Sequence, residues 1–259
     1  MNKLEEMAEQ FRRLVMVLRE HSKEIQRDFE LVVHLGRSIS EVGTSLTRKM
    51  ARAYEINSRI EPTGWLPHAT TPFHLFDMDG PEPDDLRRSI GDFYHQHWPS
   101  VSTEFRDRLQ LHEVDGEARK TFSEALDAHS AGYYRSVVRL LFPEIERVIR
   151  VEFEGAGIKE FRQAVDRLPA GYMLQNPTST DRLYRTLAAH LYDHVNSDNC
   201  QAFASNPIPN RHAAMHGRVT YTTAQNSINT LIMADFVFDL VSIFKRQFTA
   251  KNQSPSAER

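Results

Sequence analysis

Between residues 206 and 218 the chain reads NPIPNRHAAMHGR, which crowds Arg211, His212 and His216 into six residues. A guanidinium is permanently charged and forked, so it can hold a phosphate and offset the charge that builds on it in a transition state. An imidazole with an ordinary pKa of about 6.5 can take a proton from a ribose 2′-hydroxyl or return one to a departing 5′-oxygen. Together these groups suit RNA cleavage without a metal. Arg211 and His216 form R-x4-H, with Gly217 directly after, and Asn210 stands where a helix cap would be. Taken alone, R-x4-H arises easily in any helix of average composition, and a cap or a surface patch is the bland alternative.

Other constellations compete with this one. His190/His194 and His212/His216 are each four residues apart, the spacing of metal ligands on one helix face. Neither HLYDH nor HAAMH carries the glutamate that follows the first histidine of a hydrolytic zinc helix, and exposed or capping histidines arise at this spacing easily. We therefore expect no metal and no cofactor. The stretch HLFDMDG at 74–80 resembles the nucleophile loop of haloacid dehalogenase-like phosphatases, but Pro81 replaces the expected threonine and no strand–helix–strand pattern follows, so we read a proline-rich turn. HQHW at 95–98 reads as a surface or interface cluster. The single cysteine, Cys200, excludes an intramolecular disulfide and fits a reducing interior.

The elements that must position these residues are helical. The 259 residues are 40% hydrophobic and 26% charged, ordinary for a soluble globular protein, and are enough for a sizeable core. A net charge of −3 argues against a bulk basic surface. Residues 1–119 carry 16 Lys and Arg against 21 Asp and Glu, and residues 120–259 carry 16 against 14, so the second half is the better host for an anion. No signal-like apolar start and no membrane-length apolar run are present, which gives the expectation of a soluble, cytoplasmic protein. Apolar residues recur at helical steps over 3–35, 39–54, 84–112, 122–153, 157–168, 180–195 and 222–248. Pro99 is expected to break or bend its helix and Pro143 to kink its own. Residues 61–84, with five prolines and two glycines, read as a loop or boundary. Strand signals are nearly absent, so the fold is expected to be all-α. The expected domains are an N-terminal helical accessory or regulatory region (1–119), a helical domain (120–248) and a disordered tail (249–259).

Context strengthens the arginine–histidine motif. The segment NRHAAMHGRVTYTTAQNSINTLIMADFVFDLV resembles the end of HEPN-superfamily ribonucleases of the abortive-infection and phage-defence kind. Their motif is arginine, a polar residue, three or four variable residues, then histidine; Gly217, Tyr221-Thr222 and Asn226-Ser227 follow in the family's order. Upstream, EALDAHSAGYYRSVVRLLFPEIERVIR is similar to the family's opening helix. The resemblance covers about 120–248 and implies a HEPN-like helical bundle. It further implies a homodimer whose two Arg211/His216 loops face each other across a two-fold axis. His212 stands where Asn or Asp is frequent. Glu146 either orients Arg211 or is a solvated helix residue, and Tyr221 either faces phosphate or packs. The activity implied is a metal-independent endoribonuclease leaving a 2′,3′-cyclic phosphate and a 5′-hydroxyl. Its use would be as a toxin or antiviral defence effector, held by an antitoxin or other regulatory partner. The alternative is a non-catalytic HEPN-like module that binds nucleotide, RNA or a partner protein.

Overall fold

The computed structural model describes residues 52, 55–56, 58–76, 82–152, 190 and 193–253. Of these, 74% are helical and none lies in a strand, so the fold is all-α. The helices expected over 3–35 and 157–168, most of those over 39–54 and 180–195, and the DMDG turn lie outside the described residues.

Apolar spacing writes the long helices, and caps write their ends. Helix α1, Pro83–Leu111, opens with proline at its first position, where no backbone N–H is needed, and sets Asp84 and Asp85 against the positive end of its dipole. Leu86, Ile90, Tyr94, Val101, Phe105 and Leu109 recur at steps of four and seven, and all are buried. Helix α2, Gly116–Ser130, starts on Asp115, whose Oδ1 accepts the Ala118 N–H at 2.8 Å. The same carboxylate accepts two N–H groups of Arg147, at 2.8 and 2.7 Å, from helix α3, Tyr134–Glu152.

The single stretch expected over 122–153 is two helices. Gly132 adopts a φ of 77°, and the N–H groups of Gly132 and Tyr133 turn back to the carbonyls of His129 and Ala128 at 2.9 and 2.8 Å. This left-handed stop ends α2. The apolar pattern runs on across it because both helices face one core. Pro99 and Pro143 sit inside α1 and α3 and end neither.

Two short helices, α4 (Cys200–Ala204) and α5 (Arg211–Met215), precede the long helix α6, Ala224–Gln253. Every residue from 226 to 238 is buried, so this part of α6 is covered on all sides and forms the axis on which α1, α2 and α3 pack. Ala224–Arg246 is long and apolar enough to cross a membrane by length and composition, but 89% of its apolar window is buried inside the protein. The helix reaches Gln253, into the tail expected at 249–259.

The proline-rich stretch is a strap laid on this bundle. It buries Trp65 and Leu66 between two short 3-10 turns, Glu61–Thr63 and Phe73–Phe76, and Phe76 at the end of the second. Asn229 of α6 holds it: its Oδ1 accepts the Leu66 N–H at 3.0 Å, and its Nδ2 donates to the Gly64 carbonyl at 2.9 Å and the Pro207 carbonyl at 3.2 Å. A Cβ on Gly64, whose φ is 69°, would lie 2.1 Å from Pro207 Cγ. The chain divides into Met1–Arg52 and Ala53–Arg259. The boundary expected at 119–120 falls inside α2, because α1 and the strap share one core with the helices that follow.

Candidate functional site

The arginine–histidine motif is helix α5 and its two caps. Asn210 is the N-cap: its Oδ1 accepts the Ala213 N–H at 2.9 Å. Its Nδ2 donates to the Asp193 carbonyl at 3.1 Å, and its own N–H donates to the Tyr221 hydroxyl at 3.0 Å. That hydroxyl donates in turn to the Phe203 carbonyl at 3.3 Å. Asn210 and Tyr221 are both buried, and burial raises the tyrosine's pKa. Tyr221 packs as a brace rather than facing a phosphate. At the other end His216 is the C-cap and Gly217 takes a φ of 66°. The N–H groups of Gly217 and Arg218 turn back to the carbonyls of Ala214 and Ala213 at 3.3 and 2.9 Å, and α5 stops there.

This short helix displays the chemical groups. Arg211 emerges at its start, and a guanidinium nitrogen meets Glu146 Oε1 of α3 at 2.8 Å, with the two side chains 25% and 28% exposed. Of the two roles open to Glu146, the geometry selects the partner of Arg211. His216 is exposed at the opposite end. Between them the His212 ring lies against His194 and His216, with centroids 4.1 and 4.4 Å apart. The Val195 N–H donates to His212 Nδ1 at 3.3 Å, so a neutral His212 carries its proton on Nε2. Loss of water, then the nearby His194, His216, Arg218 and Arg211, push the His212 pKa down.

The histidine pairs read from spacing are rearranged, and His194 lies against His212. Residues 193–196 are loop rather than the end of a helix, because Asp193 and Val195 serve Asn210 and His212. His190 lies edge-on to Phe203 at 6.3 Å, and its buried Nδ1 has no hydrogen-bond partner among the described residues. No group of three His, Cys, Asp or Glu side chains that could hold a metal ion occurs among the described residues.

Two features escaped the sequence reading. One is the buried Asp235 of α6. Its Oδ2 accepts from His68 Nε2 at 3.1 Å and from two Arg108 nitrogens at 3.0 and 2.7 Å, and its Oδ1 accepts from His112 Nε2 at 2.9 Å. Those partners hold its pKa far below the usual carboxylate value despite complete burial. The first Asp of the otherwise apolar run ADFVFDLV was the available signal. The other is a cleft of about 730 Å³ lined by Trp65, Tyr94, His95, Trp98, His129 and Tyr134 among others. Two members of HQHW therefore line a cleft wall. Trp98 Nε1 donates to Ser130 Oγ at 2.8 Å, and its ring lies 3.8 Å from that of His129.

Comparison of the chain with protein-family models, curated proteins and solved structures finds no match.

Proposed function

We propose that the chain is a metal-independent endoribonuclease of HEPN type, working in the cytoplasm as a toxin or antiviral defence effector. The observation that carries this reading is the Arg211–Glu146 ion pair at 2.8 Å, with exposed His216 capping the other end of the same five-residue helix. A carboxylate beside a guanidinium limits its swing, so its remaining donors keep a direction for a phosphate. His216 stands on a backbone fixed by the Gly217 stop. In the reaction a ribose 2′-oxygen loses its proton to an imidazole and attacks the adjacent phosphorus. The bond to the 5′-oxygen breaks, and that oxygen receives a proton from an imidazolium, leaving a 2′,3′-cyclic phosphate and a 5′-hydroxyl. Two copies facing across a two-fold axis supply one His216 for each proton transfer and two Arg211 side chains for the phosphate.

The test is expression of the wild type beside Arg211→Ala and His216→Ala, with growth followed and total RNA run from each culture. The expected outcome is toxicity with RNA fragments in the wild type only, all three proteins being soluble. Cleavage by purified protein should be unchanged by EDTA, and its products should carry cyclic phosphate ends. Intact RNA with all three proteins, in cells and in vitro, would sink the nuclease reading. It would favour a non-catalytic module binding nucleotide, RNA or a partner protein, for which the aromatic cleft is the supporting observation.

A further inference from the structure

The imidazole row is a structure in its own right. His194, His212 and His216 stand ring beside ring at 4.1 and 4.4 Å, tilted by 46° and 49°. The loop that presents His194 is fixed on both sides. Asn210 holds the Asp193 carbonyl, the Asn199 side chain holds the His194 carbonyl at 3.1 Å, and His212 accepts the Val195 N–H. Three histidines on two separated segments are thus held together by backbone contacts rather than by chance exposure.

A metal is the first thought for such a set, and the geometry rejects it. Metal ligation requires nitrogens converging on one point at about 2.0–2.1 Å. No group of three His, Cys, Asp or Glu side chains among the described residues is so arranged. What the row suits is an anion. Its ends, His194 and His216, are exposed imidazoles, and a neutral His212 carries its proton on Nε2. Arg211 and Arg218 add two permanent cations that act on His212. The acidic groups nearby are Glu146 on α3, already paired with Arg211, and Asp193 and Asp198 on the loop that carries His194.

We propose that His194, His212 and His216, flanked by Arg218, form a second anion subsite beside Arg211. It seats the neighbouring phosphate of a single RNA strand, so that the site grips two consecutive phosphates. The assignment of the strand as RNA substrate rests on the ribonuclease reading; the anion subsite does not. Binding an anion favours the protonated imidazole, so strand binding tightens as pH falls through the histidine range.

The experiment uses the full chain and a fluorescein-labelled single-stranded 2′-deoxy oligonucleotide, which has no 2′-hydroxyl and so cannot be cleaved by this chemistry. Anisotropy titrations over a salt series at pH 6 and pH 8 give the slope of log affinity against log salt. Loss of one phosphate contact on a single strand lowers that slope by about 0.7. His194→Ala should show this loss at pH 6 and none at pH 8. His194→Arg should keep the wild-type pH 6 slope at both values, and His97→Ala on α1 should match the wild type. An unchanged slope for His194→Ala at pH 6, or no gain at pH 8 for His194→Arg, would overturn the subsite. If RNA is never cleaved but the slopes respond, the subsite stands and the nuclease reading falls. If cleavage needs Arg211 and His216 while the slopes ignore His194, the subsite falls alone.

Discussion

At the residue scale, Asn210 commits its backbone and both polar atoms of its side chain to holding α5. The cost of disturbing it follows from what is left unpaired. Tyr221→Phe strands the buried Asn210 N–H and should cost about 1–2 kcal/mol. Asn210→Ala also removes the cap and should cost about 2–4 kcal/mol. Urea midpoints read both values. Tyr221→Phe should leave RNA cleavage within a few-fold of wild type; a large loss of rate without a loss of stability would mean that the hydroxyl faces the phosphate after all. Glu146→Gln keeps the shape and removes the charge beside Arg211. Both side chains are partly exposed, so stability should move by less than about 1 kcal/mol. Cleavage should fall about tenfold in single-turnover assays as Arg211 loses its fixed direction. Arg211, His216 and Asn210 were legible in the sequence because one short helix and its caps set their mutual geometry. His194 was visible as a spacing but was matched to His190. Its true neighbour is set by a backbone hydrogen bond to His212, which no local pattern encodes.

At the element scale, three glycines with positive φ make separate demands. Gly132 and Gly217 end helices in open space, where an added Cβ meets nothing within 4 Å. Alanine there carries only the left-handed strain, about 1 kcal/mol each. Gly64 has the same strain, and its Cβ would sit 2.1 Å from Pro207 Cγ. Gly64→Ala must therefore push the strap off the segment that leads into α5, and should cost at least about twice as much as either other substitution. Comparing the three urea midpoints checks this order; equal losses would mean that the strap yields freely. The same glycines show where pattern reading stops. Helical periodicity located α1 and α6 to within a few residues, since one buried face repeats along each. It joined α2 to α3 because the apolar rhythm survives the Gly132 turn. It read the prolines as a loop or boundary, and could not show that Asn229 binds two proline-rich segments to the core axis, a contact made across the fold.

At the scale of the whole molecule, protons link the core to solution conditions. Asp235 gathers the strap, the end of α1 and α6 around one carboxylate whose pKa is lowered, so its contribution is present above the usual carboxylate range and fades only as pH falls below it. Asp115, brought down to about 2 chiefly by its hydrogen bonds from Arg147, acts with the same sign in the same acid region. His129 acts earlier. It is buried under Trp98, hydrogen-bonded through Nδ1 to Ser227 Oγ at 2.7 Å, and burial lowers its pKa from 6.5 to about 4. Between those values the unfolded chain binds a proton that the folded chain refuses, so stability must fall as pH drops from about 6.5 to 4. A shift of that size corresponds to at most on the order of 3 kcal/mol. His190, also lowered by burial, adds to the same limb. Urea midpoints taken between pH 7.5 and 4.5 should therefore decline steadily for the wild type and less steeply for His129→Gln, which has no imidazole to protonate. Parallel declines in the two proteins would show that His129 takes up its proton without leaving the core. The fold's acid sensitivity would then have to come from His190 and from elements outside the aromatic cleft.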